Sequence, residues 1–523
     1  MDGTQRASMM HPGALWLSLL FGAETLALAL MRLPTDLGFD ANAFGDRGDF
    51  LTICYLVRHG GRPAIDFGYH WGLLPIMLGQ AWFAIFDSTP QANEAAMVVC
   101  AIVVAVGIAR MAAALRLAVG GIVLLVIALP FAFPTFTLTY ALEAALLSNA
   151  LAEQAAQRRA TALALATAAC FVKPSMGYLY GFLLVAMALR EAWGSRPGVS
   201  PGNPLGTSAG ISIDWRKFIR MIAPAAVTGC ALMLILAAVY GIRVLATTLL
   251  PTAGMNAYRF QGMGFFHGAG RDFWYQPHLG LPFYVFTVAG FWLAASVWLF
   301  AAAARSAWRL LSAARVPDAF GADDEFVLTC AVLHAAFITV FFGTQVSWQY
   351  YSYILVMGVA ATSIRDLSSR RIVSLLALLA LFGHTAHFEL LAGQWRTMAP
   401  TPVTAGMWAS SEEVSEWGKV LRAVDRHQAV LLTAMGSGPV LSEQFEPPFA
   451  NHFNPGELMP GQLARLMQHV DGAQRIVVVT SPGFGNMLVW WPDIQRALDG
   501  HELLWRGKAF AVYGARRPAT RAP

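Results

Sequence analysis

The sequence predicts a polytopic α-helical membrane protein with a small soluble α/β domain after its last span. Three observations lead there. Hydrophobic residues make up 56% of the chain and charged residues 13%, with a mean hydropathy of +0.52, far more apolar than a soluble globular protein. Long apolar runs recur, with Lys and Arg gathered at their ends, which is the membrane pattern. Beyond Gly393 no run is long enough to span, and the texture turns to short strands and amphipathic helices.

The opening MDGTQRASMMHP carries one Arg before an apolar run over 13–31. That run is longer than a signal-peptide core and lacks a small-residue cleavage site, so an uncleaved first span is expected. Further runs lie at 93–109, 117–135, 140–156, 160–173, 176–190, 219–241, 282–304, 325–343, 350–364 and 372–391. They give about 11 spans, several shorter than the roughly 20 residues that a perpendicular helix needs. The run 72–86 is ambiguous, and charge decides it. If it does not cross, Arg110, Arg116, Arg158, Arg159 and the basic stretches 190–220, 305–315 and 365–371 all face the cytoplasm, as the positive-inside rule requires. It is therefore expected to be an interfacial or re-entrant helix, with the N-terminus cytoplasmic and the C-terminal end outside.

The expected division is a transmembrane domain over 1–392 and an extracytoplasmic α/β domain over 393–523. A Pro-rich joint at 398–402 leads into a helix over 411–426. Buried strands follow at 429–433 and 475–480, then a short helix over 491–498 and a final strand over 509–513. The Pro/Gly/Ser stretch 194–210 reads as a flexible cytoplasmic loop. Of the five cysteines, Cys54, Cys100, Cys170, Cys230 and Cys330, four lie in apolar segments, and no disulfide framework or metal–thiolate site follows. A pI near 9.0 does not imply nucleic acid, because the basic residues sit at span ends.

The most informative stretch is DFLTICYLVRHGGRPAIDFGYHWG at 49–72, which follows the first span. An acidic residue opens an amphipathic helix, a Gly-Gly turn ends it, and a loop leads back to the bilayer, so carboxylates sit at the membrane surface. Through Asp49, Tyr55, Gly61, Pro63, Asp66, Phe67 and Gly72 the segment resembles the first outer loop of the GT-C superfamily. These are integral-membrane glycosyltransferases that use polyprenyl-phosphate sugars. The resemblance maps the family's catalytic base onto Asp49, with Asp40 and Asp46 as competitors, and a plain helix cap as the alternative. Asp66 would orient the acceptor or help hold a metal, or else form a turn. Tyr55 and His70 are candidate substrate-binding residues, although His70 has no second ligand at metal spacing.

Two more signals fit the same resemblance. Glu143 stands near the outer end of the fourth span, where the aminoarabinose- and protein-mannosyl-transferase branches usually carry an Asp. Its alternative is a carboxylate snorkelling to the interface. Glu24, inside the first span, reads better as an internal hydrogen-bond partner. In CFVKPSMG at 170–177, Lys173 falls at the outer junction of two short spans beside the helix-breaking Pro174, suited to a lipid phosphate or to snorkelling. The loop 243–281 adds Arg259 and Arg271 among glycines and aromatics, either a substrate lid or an interfacial aromatic belt. The turn QVSWQYY at 345–351 resembles the family's late aromatic turn without its His-Tyr pairing, and carries no assigned role.

The resemblance implies an enzyme of the bacterial inner membrane. It would transfer a sugar, with inversion, from a polyprenyl-phosphate donor to a periplasmic lipid, glycan or protein acceptor. No cofactor is certain, and a divalent metal is possible. A transporter or flippase of lipid-linked glycans would need a polar path through the bundle, for which only Glu24 clearly qualifies. A noncatalytic envelope assembly protein would survive loss of the acidic residues.

Overall fold

The computed structural model describes residues 12–132, 137–193, 213–250, 282–312, 320–341, 351–424, 429–433, 445–450, 453, 458–459, 461–480, 487–489 and 491–516. The candidate residues Arg259 and Arg271, most of the expected lid, and the loop 194–210 lie outside them.

The apolar runs are helices. In order these are α1 (Pro12–Met31), the short α2 (Leu33–Asp36) and α3 (Phe39–Ala43), α4 (Asp46–Arg58), α5 (Leu74–Phe86) and α6 (Pro90–Leu115). There follow α7 (Val119–Ala132), α8 (Leu138–Ala155), α9 (Arg159–Cys170), α10 (Pro174–Trp193), α11 (Trp215–Tyr240) and α12 (Ile242–Leu249). The bundle closes with α13 (Pro282–Ser312), α14 (Ala322–Phe341), α15 (Ser352–Ala361) and α16 (Leu367–Thr397). Proline at the first helical position opens several of them, where its missing N–H costs nothing. Local side chains cap others: Asp366 accepts from the Ser369 N–H at 2.6 Å, and Asp214 from that of Lys217 at 3.0 Å. Among the described residues four helices, Gly13–Met31, Pro90–Leu115, Trp215–Tyr240 and Gly290–Ser312, are long and apolar enough to cross a membrane by length and composition.

Helix α8 packs between α6 and α9, α9 also touches α10 and α11, and α7 meets α15 and α16. Helix α5 occupies the ambiguous run. Its 13 residues reach only about 20 Å at 1.5 Å per residue, short of a hydrocarbon core of about 30 Å. It lies against α4, α6 and α8.

Helix α16 runs directly into the C-terminal unit. There β1 (Met398–Pro400) pairs antiparallel with β2 (Trp408–Ser410), and α17 (Ser411–Val424) follows. A four-stranded sheet has the order β3-β4-β6-β5, from β3 (Val430–Leu432), β4 (Ile476–Val479), β5 (His501–Arg506) and β6 (Phe510–Arg516). Strand β3 is parallel to β4, and β6 is antiparallel to both β4 and β5. The period of two in a strand divides β4 between two cores. Val477 and Val479 face Trp417 and Val420 of α17. Ile476 and Val478 face α18 (Gln462–Gly472) and α19 (Pro492–Leu498) through Leu466, Val470, Ile494 and Leu498. The expected helix over 411–426 and strands at 429–433, 475–480 and 509–513 are found, the first two strands shorter and the last running on to Arg516. Sequence reading missed α18, β5 and the β1–β2 pair. Strand β5 is an edge strand with mostly exposed side chains and register shifts, so it carries no alternating apolar signal.

The first of these two cores is shared with the segment after α1. Phe39, Ala43 and Phe44 are buried in it, with the Phe39 ring 5.3 Å from that of Trp417 and the Phe44 ring 5.5 Å from that of Phe510. Backbone contacts reinforce this: the Trp408 N–H donates to the Leu37 carbonyl at 2.8 Å, and Gln462 Nε2 donates to the Asp66 carbonyl at 2.9 Å. Truncating a buried Phe costs about 3–5 kcal/mol. Phe44→Ala should therefore lower the midpoint of thermal unfolding read from tryptophan fluorescence and expose the C-terminal unit to limited proteolysis. An unchanged midpoint and cleavage pattern would show that the two segments fold independently.

Candidate active site at one end of the bundle

The segment after α1 is organised by a buried cation. Arg47 donates to the Asp36 carboxylate at 2.6 Å and to the Asp36 carbonyl at 2.7 Å, and it also pairs with Glu94 in the first turns of α6. Asn42 Nδ2 closes the same turn on the carbonyls of Asp36 and Gly38 at 3.0 and 2.9 Å. These contacts set the start of α4 at Asp46, with Gly45 as its N-cap. Asp49 therefore does not open the helix, as the sequence suggested, but lies one turn inside it, and the helix-cap alternative falls away. It is 1% exposed. Asp46 is half-buried, and Asp40 faces outward.

Helix α4 ends at the Gly-Gly turn. Gly60 takes φ +87°, and the Gly61 N–H returns to the Leu56 carbonyl at 2.9 Å, a closure that suits a residue without Cβ. Tyr55 sits late in α4, half-buried, its ring 4.1 Å from that of His59. Beyond the turn Arg62 grips Asp66 with two side-chain bonds of 2.9 Å and a backbone bond of 2.8 Å. These hydrogen bonds hold the exposed Asp66 carboxyl below the usual carboxylate range. Asp66 thus shapes the return loop, as a turn-forming residue does, on the side facing Gln462.

The loop then turns inward. Tyr69 OH donates to the Gly72 carbonyl at 2.7 Å. Burial pushes its phenol well up, and Cys54, Tyr240 and Asp49 add to the push, which places Asp49 within electrostatic reach of Tyr69. Trp71 makes ring contacts with Tyr69, His70 and Tyr140 at 5.8, 4.7 and 6.0 Å. His70 is half-buried at this point. The Gly72 N–H donates to the Val172 carbonyl at 2.9 Å and the Leu74 N–H to the Phe171 carbonyl at 3.0 Å. A Cβ at Gly72 would collide with the Phe171 carbonyl. Only glycine allows this approach, and it joins the return loop to the α9–α10 junction.

Lys173 is the next residue in that junction, 4% exposed, where Pro174 prevents α9 from continuing. Its Nζ stands 4.0 Å from the centroid of the Tyr140 ring and 5.3 Å from that of Tyr351. Glu143, one turn along α8 from Tyr140 and 1% exposed, accepts from Tyr351 OH at 2.8 Å and lies within electrostatic reach of Lys173. Glu143 is therefore enclosed and partnered rather than snorkelling, and so is Lys173. The structure thus gathers His70, Glu143 and Lys173 around the aromatic frame of Trp71, Tyr140 and Tyr351. It does not bring Tyr55 or Asp66 into that frame. Arg47, Tyr140 and Tyr351 were missed. Tyr351 belongs to the aromatic turn noted at 345–351, so its density of aromatics was the available signal.

Among the described residues no group of three or more His, Cys, Asp or Glu could hold a metal. Glu24 in α1 is half-buried, and its Oε2 is enclosed with no hydrogen-bond partner among the described residues. The internal partner expected for it is therefore not found.

No protein-family model and no curated relative matches the chain. Among solved structures it is similar to ArnT from Cupriavidus metallidurans bound to undecaprenyl phosphate, at 12% identity and a TM-score of 0.49, over 96% of this chain and 98% of that one. It is similar to the apo state of the same protein at 14% identity and a TM-score of 0.42, over the same shares. At these values the likeness assigns neither fold nor chemistry to this chain, and the site stands on its own residues.

Gly72→Ala places a methyl group against a backbone carbonyl that has no room to yield, at a cost on the order of 1–3 kcal/mol for overpacking. It should lower the thermal midpoint of the detergent-solubilised protein. Gly22→Ala, whose Cβ meets nothing within 4 Å, is the control. Equal midpoints for the two variants would show that the loop does not depend on this contact.

Proposed function

We propose that the protein is a glycosyltransferase of the bacterial inner membrane, moving a sugar from a polyprenyl-phosphate donor to a periplasmic lipid, glycan or protein acceptor. The observation that carries this reading is the enclosure of Lys173 and Glu143 beside the loop of Asp49. A cation held among aromatic rings at a helix break suits a lipid phosphate whose chain lies along the apolar bundle. The two carboxylates nearby suit proton transfer and sugar orientation.

In the reaction that fits, the acceptor oxygen attacks the anomeric carbon as the bond from that carbon to the phosphate oxygen breaks. The electron pair of that bond leaves with the polyprenyl phosphate, whose charge Lys173 balances. The acceptor proton passes to the Asp49 carboxylate. A single displacement of this kind inverts the anomeric centre. Glu143, held by Tyr351, orients Lys173 and the sugar. Arg259 and Arg271 of the outer loop would add positive charge, and His70 with Trp71 would face the sugar. A divalent metal could share the work of Lys173. In this reading the site end of the bundle faces the periplasm, the N-terminus lies in the cytoplasm, and the unit over 393–523 receives the acceptor.

Paired variants test the assignment. Asp49→Asn keeps size and shape, so it should retain polyprenyl-phosphate binding while release of polyprenyl phosphate from a lipid-linked sugar falls on the order of a hundredfold or more. Lys173→Met should weaken binding of polyprenyl phosphate much more than that of the free polyprenol, with and without chelator. Removing one partner of a buried ion pair costs about 3–5 kcal/mol, so Lys173→Met should also be measured together with Glu143→Gln. Near-normal turnover of Asp49→Asn would remove Asp49 from the mechanism in favour of Asp40 or Asp46. Equal weakening toward phosphate and alcohol would leave Lys173 as a support of the junction and pass the phosphate to Arg259 or Arg271.

A further inference from the structure

The opposite end of the bundle carries a second polar enclosure that the transfer reaction does not use. The 12 residues of α9 separate it from the Lys173 junction by about 18 Å at 1.5 Å per residue. Here the start of α9, the end of α10 and the start of α14 enclose a pocket of about 380 Å³ lined by Arg159, Met187, Arg190, Glu191, Phe320 and Glu325 among others. That volume lies in the range of about 300–1,000 Å³ typical of small-ligand sites.

Its carboxylates are held by cations. Arg159 pairs with both Glu191 and Glu325 at 2.7 Å, and Lys217 takes the other oxygen of Glu191 at 2.9 Å. Arg190 is exposed and stacks over the Phe320 ring at 4.9 Å. Glu325 is more than nine-tenths buried, and while its Oε2 takes the Arg159 bond, its Oε1 has no hydrogen-bond partner among the described residues. A buried acceptor left in this state costs free energy that a donor would recover. The level of the pocket is set by Trp193 and Trp215, both exposed at the ends of α10 and α11, in the manner of the aromatic anchors found at headgroup depth.

We propose that this pocket binds the headgroup of an ethanolamine phospholipid from the leaflet it faces. The ammonium would donate to Glu325 Oε1, the phosphodiester would meet Arg190, and Met187 and Phe320 would cover the glycerol end. The chemistry discriminates among lipids. A choline group has no N–H to give Glu325 Oε1, and a glycerol headgroup brings no ammonium to it.

The test uses the full chain in detergent micelles, delipidated and titrated with phosphatidylethanolamine, phosphatidylcholine or phosphatidylglycerol, with bound lipid counted by native mass spectrometry. One phosphatidylethanolamine per chain should bind about tenfold more tightly than the other two. Arg190→Gln, an exposed substitution that leaves the fold intact, should weaken it about tenfold, and Glu325→Gln should erase the preference over phosphatidylcholine. Soluble phosphoethanolamine should compete only at far higher concentration. Equal uptake of the three lipids, or unchanged binding by Arg190→Gln, would overturn the site. Competition by phosphoethanolamine at lipid-like concentrations would overturn the lipid assignment in favour of a free solute.

Discussion

A lysine and a glutamate enclosed among apolar helices must answer each other's charge, and one end of this bundle is built around that requirement. Ionisable groups are expensive in a membrane and persist where they are paired or face a polar cavity. Lys173 meets two tyrosine faces and Glu143 meets a tyrosine hydroxyl, so helix α8, the α9–α10 junction and the residue before α15 converge on one pair of charges. The pair is weak evidence for stability, because desolvation offsets much of its attraction. It is better understood as a fixed position for charge, which the proposed reaction would use for the phosphate of its donor.

Position is then transmitted by backbone rather than by side chains. Gly72 lies against the carbonyl of Phe171, and two hydrogen bonds tie the return loop to the residues immediately before Lys173. At the other end of the same segment, Arg47 locks the start of α4 to α6 through Asp36 and Glu94. Asp49 is carried between these two anchors. The C-terminal unit adds a third, because Phe39 and Phe44 leave the membrane segment to complete its core. An acceptor bound to that unit would therefore be registered against the loop of Asp49 through packed aromatic rings, which transmit displacement because close-packed interiors yield little.

Much of this was legible in the sequence for one physical reason. A chain in lipid must satisfy its backbone within each segment, so spans announce themselves as apolar runs, and a lone Glu143 or Lys173 among them stands out. What could not be read is pairing over long separations. Arg47 and Glu94 are 47 residues apart, and Tyr351 is 208 residues from Glu143; neither partner has a local signature. The same holds for Phe39 and Phe44, which look like ordinary interfacial aromatics until the sheet of a distant unit closes on them. Asp49 was misplaced by one turn because Gly45 caps the helix without a side chain, leaving no polar cap residue to mark the start. Strand β5 was missed because an exposed edge has no alternation to detect.

The most direct measurement is an electron cryo-microscopy structure of the full chain in lipid nanodiscs with added polyprenyl phosphate. The phosphate should lie within about 3 Å of Lys173 Nζ, between Tyr351 and the return loop at Trp71, with the polyprenyl chain running down the apolar face of the bundle. Phosphate density elsewhere, with Lys173 still over the Tyr140 and Tyr351 rings, would contradict the account.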